Sequence, residues 1–208
     1  MTTITGCLFI ISAPSGTGKT SLVKALLAID PQLNLSISHT SRSPRPSEVN
    51  GSDYHFISES DFKQMVQRGD FLESAEVYGN FYGTSQRWIN ETTNTGRDIL
   101  LEIDCQGAEQ VHRRFPQSIS IFILPPTPET LASRLNTRGQ DDLDVIKKRL
   151  TAASEEVNHI NEFDYVIINN ELDSALKDLT CIIRAERLRV ARQLVKHGKL
   201  ISELKGFP

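Results

Sequence analysis

Short, wholly apolar runs alternate with helical stripes along this chain. Leu8, Phe9, Ile10 and Ile11 are followed by small residues from Ser12 to Gly18, and then by Leu22, Val23, Leu26 and Leu27 at helical spacing, up to Pro31. That order predicts a buried strand, a tight loop and an amphipathic helix. Similar runs at Ile99 to Asp104, Ile119 to Leu124 and Tyr165 to Ile168 read as further strands. Near-continuous apolar runs of this kind suit parallel strands covered on both faces. Leu33 to Ser38 alternates like a short strand. Helices are predicted over 108–114, 128–135 and up to about His159. From Leu172 to about His197 the apolar positions Leu176, Leu179, Ile183, Leu188 and Leu194 predict one long amphipathic helix against the sheet. Alternating β and α units imply an α/β fold with a doubly wound parallel sheet flanked by helices.

Residues 39–84 break that rhythm. His39 to Ser52 is rich in Pro, Ser and Gly, Tyr54 to Ile57 reads as a strand, and a short helix runs from Ser60-Asp61 to Gly69. Phe71 to Val77 reads as a strand and Tyr78 to Thr84 as an aromatic-glycine turn, after which a helix from Ser85 to Asn94 resumes the core. The expected organisation is a core of 1–38, 85–135 and 150–208, a β-rich insertion of 39–84, and a polar, arginine-rich lid of 136–149.

Composition narrows the partners. A net charge of −3 offers no basic field for nucleic acid, so any phosphate site must be built locally. No stretch is long and apolar enough to span a membrane, and a cytoplasmic location is expected. Cys7, Cys105 and Cys181 lack metal or CxxC spacing and read as reduced, mostly buried thiols. The five histidines (His39, His55, His112, His159 and His197) show no metal spacing and are expected to be solvated or hydrogen-bonded. Trp88, Phe115 and the stripe from Leu172 to Leu194 are expected in the core, and Lys196 to Lys205 as a solvated end. A homodimer is compatible with the chain, which does not itself reveal an oligomeric state.

The chemistry starts in the loop after the first strand, Ala13-Pro14-Ser15-Gly16-Thr17-Gly18-Lys19-Thr20. Strand, glycine-rich loop, Gly-Lys-Thr and helix form the context of a phosphate loop (P-loop), with Ala13 standing where the consensus pattern has its first glycine. Backbone N–H groups curl around the phosphates, and the helix N-terminus adds its unpaired donors. Lys19 is expected to neutralise the β- and γ-phosphates and Thr20 to bind Mg²⁺ directly. The insertion supplies a second anion site. Arg42 and Arg45 have planar forks suited to phosphate, and Tyr54 and Tyr82 add phenolic donors. Glu73 stands inside an otherwise apolar strand, where an unpaired carboxylate is costly. A carboxylate accepts from the guanine N1–H and N2–H₂ pair and repels the adenine N1 acceptor, and Ser38 and Thr84 could complete the reading of the base edge. Asp104, at a strand end, is expected to hold Mg²⁺ through water or to orient the acceptor, with a loop cap as the structural alternative.

These residues carry a resemblance. Ser38 to Glu48, Asn50 to Tyr54 and Tyr82-Gly83-Thr84 closely resemble the GMP-binding region of guanylate kinases. The loop from Ala13 to Thr20, the run Glu102-Ile-Asp104-Cys-Gln-Gly107 and the stretch from Arg134 to Arg149 match in order, so the resemblance covers nearly the whole chain. It implies an Mg²⁺-dependent ATP:GMP phosphotransferase of purine nucleotide metabolism, acting on GMP and dGMP. By that resemblance Arg42, Arg45, Tyr54 and Tyr82 take the GMP phosphate, while Ser38, Glu73 and Thr84 take its base, with Glu102 and Asp104 in the same site. Arg138 and Arg149 carry transition-state charge with Lys19 and Arg45, Arg134 belongs to the ATP site, and Asn169-Asn170 lie near the adenine. Glu102 stands where the family often has Asp, and Thr84 where it often has Ser; each keeps its chemical group. A related kinase for a ribose bisphosphate would not need Ser38, Glu73 and Thr84 together. A non-catalytic interaction module of the same fold would not need Lys19, Thr20, Arg138 and Arg149. A GTPase would carry an Asn-Lys-x-Asp motif, which the chain lacks.

Overall fold

The computed structural model describes residues 6–77, 79–93, 95–137 and 143–206, with backbone alone for 136–137 and 143–149. Five strands form one all-parallel sheet: β1 (Leu8–Ser12), β2 (Leu33–Leu35), β7 (Asp98–Glu102), β8 (Ile119–Leu124) and β9 (Tyr165–Ile168). Their order is β2-β7-β1-β8-β9, so the strand that precedes the P-loop is central. Leu8, Phe9, Ile10 and Ile11 are all fully buried, as a run covered on both faces requires. On one side Phe9, Ile11 and Leu100 pack with Leu22, Val23 and Leu26 of α1 (Lys19–Ile29) and with Leu179 and Ile183 of α7 (Leu172–Arg187). On the other, Leu8, Ile10, Ile99 and Leu101 pack with Ile89 of α3 (Gln86–Thr93) and Val111 of α4 (Cys105–Arg114). Trp88 and Phe115 pack against this second cluster, as expected of core residues.

A second sheet is built within 39–85 in the order β4-β3-β6-β5, from β3 (His39–Thr40), β4 (His55–Phe56), β5 (Phe71–Val77) and β6 (Asn80–Ser85). Here the sequence reading needs correcting, because the expected aromatic-glycine turn is largely a strand. Asn80 to Ser85 pair antiparallel with β5, and only the tight connection through Gly79 turns. Alternation is masked there because Phe81, Tyr82 and Gly83 all serve the packing. Phe62 of α2 (Glu59–Arg68) stacks on Phe71 and Phe81 at 4.6 and 5.5 Å, and a Cβ on Gly83 would meet the Phe71 ring at 2.9 Å. Ser58 caps α2, accepting from Asp61 N–H at 3.0 Å and donating to the Asp61 carboxylate at 2.7 Å. Ser58→Ala should therefore cost about 1 kcal/mol of stability. Thermal unfolding should show the melting temperature fall by ~2–4 °C, the scale for a chain of this size.

The C-terminal region also departs from expectation. The predicted single helix is two: α7 ends at Arg187, and α8 (Val190–Lys205) starts after a break at Leu188-Arg189. Leu188 is 67% exposed and Leu194 is 45% exposed, so the core stripe stops at Ile183. Helical spacing persists across the break, which is why periodicity alone does not reveal it. The last expected helix of the mid-chain also starts earlier, as α6 (Leu143–Val157), and α5 spans Pro128–Thr137. β9 is an edge strand with Val166 and Ile168 exposed on one face, unlike the doubly covered β1. Cys7 and Cys105 are buried, but Cys181 is exposed, on the outer side of α7. His39 is half-buried: its ring lies 4.7 Å from His55 and 5.5 Å from Phe71, and its Nδ1 is buried without a hydrogen-bond partner among the described residues. Burial, with the nearby His55, pulls it down to about 4, so it is neutral at pH 7.

Candidate functional site

The loop between β1 and α1 sits where ligands bind in open α/β sheets, beyond the carboxyl ends of the strands. Gly16 and Gly18 hold φ of 90° and 91°, the left-handed region open to glycine. A Cβ on Gly16 would meet Leu135 at 2.8 Å, and one on Gly18 would meet Asn169 Nδ2 at 2.6 Å. The loop is braced from behind. Asn169 donates from Nδ2 to the Thr17 carbonyl at 2.7 Å, and Arg134 donates to the Thr17 and Asn169 carbonyls at 3.2 Å. Sequence reasoning assigns Arg134 and Asn169 to ATP; here both side chains support the loop backbone, and Asn170 follows beyond the end of β9. Ala13 packs in the first core cluster, which accounts for a small residue there. No side chain caps the start of α1, and its first turn has no acid, so its N–H groups and partial positive charge face the loop.

Lys19 opens α1, and its Nζ donates to the Ile103 carbonyl at 3.0 Å, which fixes the ammonium at the end of β7. The Thr20 hydroxyl donates to Glu102 Oε1 at 2.6 Å. Asp104 caps α4: its Oδ1 accepts from Gly107 N–H at 2.8 Å, the structural alternative weighed for it, while its carboxylate still lines the cleft. Among the described residues no cluster of three His, Cys, Asp or Glu side chains could hold a metal ion by itself. What fits is the donor chemistry. Thr20, Glu102 and Asp104 offer hard oxygens, and Mg²⁺ is held by one or two such groups plus nucleotide phosphates.

Lys19, Glu102, Ile103 and Asp104 form one wall of a cleft whose other wall comes from the second sheet and the residues flanking its strands: Ser38, Tyr54, Glu73, Val77 and Tyr82. Residues far apart in sequence thus converge. Glu73 is the most unusual. It is 3% exposed, accepts from the Thr84 hydroxyl at 2.5 Å, and lies beside a register shift in β5. Burial pushes its carboxyl up to about 7; the Thr84 bond opposes that rise and the Asp104 charge adds to it. A Cβ at Gly107 would come within 2.6 Å of Glu73 Oε2, so glycine at this turn of α4 makes room for the carboxylate. Gly107→Ala should displace Glu73 and raise the KM for the ligand it reads several-fold, about 1 kcal/mol, with kcat little changed. Steady-state kinetics test this, and an unchanged KM would separate Gly107 from the site.

The basic loop is organised around Glu48. Arg42 donates to Glu48 Oε1 at 2.8 Å and lies 5.5 Å from the Tyr54 ring centroid, while Arg45 donates its backbone N–H to Glu48 Oε2 at 2.7 Å. The Arg45 side chain is largely exposed, 3.6 Å from the same carboxylate. Tyr54 and Tyr82 meet edge to face at 5.9 Å, and burial, with the Glu102 charge nearby, pushes the Tyr54 phenol up to about 12, so it remains a donor. Arg138 lies outside the described residues, and so does the side chain of Arg149, whose backbone belongs to α6. One carboxylate had no sequence signal. Glu156 of α6 keeps a buried Oε2 without a partner, and burial pushes it up to about 7 against the pull of the Lys19 ammonium. It sits in a polar helical run like any solvated face, so only the packing of α6 shows where it lies.

Comparison with known proteins agrees with this geometry. The guanylate kinase family model matches residues 6–186. The guanylate kinase of Nitrosospira multiformis is 60% identical over 204 residues, covering 98% of this chain and 97% of that protein. The guanylate kinase of Nitrosomonas europaea is 56% identical over 197 residues, covering 95% and 98%. The crystal structure of guanylate kinase from Anaplasma phagocytophilum superposes with a TM-score of 0.76 at 31% identity, covering 90% of this chain and 89% of that one. A P-loop facing a buried carboxylate across one cleft, matched end to end by these relatives, shows that the chain belongs to the guanylate kinase family.

Proposed function

We infer that this protein transfers the γ-phosphoryl group of ATP to GMP, and to dGMP, forming ADP and GDP or dGDP within purine nucleotide metabolism and GMP recycling. The observation that carries this reading is Glu73: a buried carboxylate bonded to Thr84, in the same cleft as the P-loop lysine. Its ionised form accepts two hydrogen bonds from the guanine edge and repels adenine. Ser38 and Thr84 complete the base site; Arg42, Arg45, Tyr54 and Tyr82 hold the acceptor phosphate. A ribose bisphosphate kinase would have no use for Glu73.

Phosphoryl transfer needs alignment and charge neutralisation more than covalent chemistry. A phosphate oxygen of GMP attacks the γ-phosphorus as the bond to the β–γ bridging oxygen breaks, and the electron pair leaves with ADP. The attacking oxygen is already anionic, so no side chain need remove a proton. In this reading Gly16 to Thr20 cradle the donor phosphates through backbone N–H groups, and Lys19 screens the migrating charge. The Thr20 hydroxyl would hold the Mg²⁺ that enters with ATP, with Glu102 beside it and Asp104 acting through water, and the ion would supply charge neutralisation at the phosphates. Arg138 and Arg149 add positive charge from the lid segment 136–149, and insertion and lid exclude water on closing, which suppresses ATP hydrolysis. Arg134, Asn169 and Asn170 complete the ATP side. The partners are small molecules, with neither nucleic acid nor membrane, in the cytoplasm; among the described residues no helix is long and apolar enough to cross a membrane.

A coupled assay with ATP against GMP, dGMP, AMP, UMP and ribose bisphosphate tests the proposal. Turnover confined to GMP and dGMP is expected. Comparable turnover of AMP or of the ribose bisphosphate would overturn it.

A further inference from the structure

A second cavity, of about 700 Å³, opens at the other end of the parallel sheet, where β1 and β7 begin and α1 ends. That volume lies within the range of small-molecule sites. Its cations come from three elements: Arg97 just before β7, Arg184 and Arg187 on α7, and Arg192 and Lys196 on α8. Arg187 binds two carboxylates, Asp30 at 2.7 Å and Asp98 at 2.6 Å, so this trio carries one net negative charge. The other four have no carboxylate partner among the described residues. Arg97 reaches an amide oxygen, Asn34 Oδ1, at 3.3 Å, and Arg192 reaches the Gly6 carbonyl at 3.0 Å. Arg184 and Lys196 have no ion-pair partner among the described residues. Four cations without a carboxylate partner, less the one net negative charge of the Arg187–Asp30–Asp98 trio, leave three positive charges at one concavity of a chain whose net charge is −3.

Such focusing of like charge raises the local potential and favours a multivalent anion. The guanidinium forks suit phosphate oxygens, and an ammonium adds a point charge. Beside the cations, Leu188 and Val195 present exposed apolar surface, which could carry the uncharged part of a ligand. We propose that this cavity is a second binding site, separate from the P-loop cleft, for the phosphate chain of a polyphosphorylated small molecule. Arg184, Arg192 and Lys196 grip the phosphates. The already paired Arg187 forms a rigid floor.

Inorganic tripolyphosphate is the probe, titrated calorimetrically into the full chain with GMP and a non-hydrolysable ATP analogue saturating the cleft. One further binding event per chain is expected, weakening as salt rises. The double variant R184Q/K196Q should bind tripolyphosphate about tenfold more weakly or worse, since two charged contacts are lost. Its turnover of ATP and GMP should be unchanged, which shows that the fold is intact. K199Q removes one positive charge from α8 outside the cavity, and it should bind like the parent. CTP, titrated the same way, distinguishes the source of the phosphates: equal affinity assigns the site to the phosphate chain alone, and tighter binding adds a nucleoside contact. No second event, or equal weakening in K199Q and R184Q/K196Q, would overturn the site as mere surface charge.

Discussion

Lys19→Met should lower phosphoryl transfer by at least ~10³-fold, about 4 kcal/mol of transition-state stabilisation. Lys19 is the first residue of α1, after a loop with positive φ at Gly16 and Gly18, and its ammonium is held by the Ile103 carbonyl at 3.0 Å. In the proposed role the half-buried ammonium, already held in place, would stabilise charge that builds on the migrating phosphoryl group. Methionine keeps most of the aliphatic stem and removes the charge. The residue's energetic role in folding is small because its bond is to a single backbone carbonyl, so the melting temperature should stay close to that of the parent. The measurements are kcat in the coupled ATP and GMP assay and a thermal unfolding curve. Turnover within tenfold of the parent, with the fold intact, would remove Lys19 from the mechanism.

Glu73→Gln should weaken GMP recognition by ~1.5–3 kcal/mol, tenfold or more in KM for GMP, with little change in KM for ATP. The parent enzyme should also show a pH dependence that the variant lacks. With its carboxyl pushed up to about 7 from an ordinary 4.5, free Glu73 is increasingly protonated as pH falls through 7. A protonated carboxyl offers one acceptor fewer to the guanine edge, so kcat/KM for GMP should fall toward acid pH. For stability the sign is opposite. The folded state binds the proton more tightly than the unfolded chain, so the contribution of this site to stability is greatest below the unfolded value and is lost as pH rises from about 4.5 through about 7. Bound GMP reverses the preference by stabilising the carboxylate, so the pH dependence should shrink at saturating GMP. A variant that raised only the KM for ATP, or a parent profile flat between about pH 5.5 and 8, would contradict the role given to Glu73.

Much of this could be seen in the sequence because the signals are local. An apolar run that stops at Ser12, two glycines and Gly-Lys-Thr describe a strand, a curled loop and a helix start within a few residues, and the structure has β1, positive φ at Gly16 and Gly18, and α1 at those places. The strands Ile119–Leu124 and Tyr165–Ile168 end where the apolar runs end. Glu73 was legible as an anomaly, a carboxylate in an apolar strand, because burial of charge is costly enough to need a reason. Two readings failed for a common cause. The hairpin strand Asn80–Ser85 and the break at Leu188-Arg189 each depend on which surface lies opposite, and period or composition does not record that.

By itself, then, the sequence determined the parallel α/β order, the P-loop and the residue types of the two proposed anion sites, since backbone geometry and charge chemistry act over short stretches. Only the tertiary structure decided that Glu73 shares a cleft with Lys19, that Gly107 yields space to that carboxylate, that Asn169 and Arg134 brace the loop, and that four cations without a carboxylate partner gather beneath the sheet. Those facts rest on contacts between segments tens of residues apart, which form because burying the apolar faces of β1 and β7 brings their ends, and everything attached to them, together.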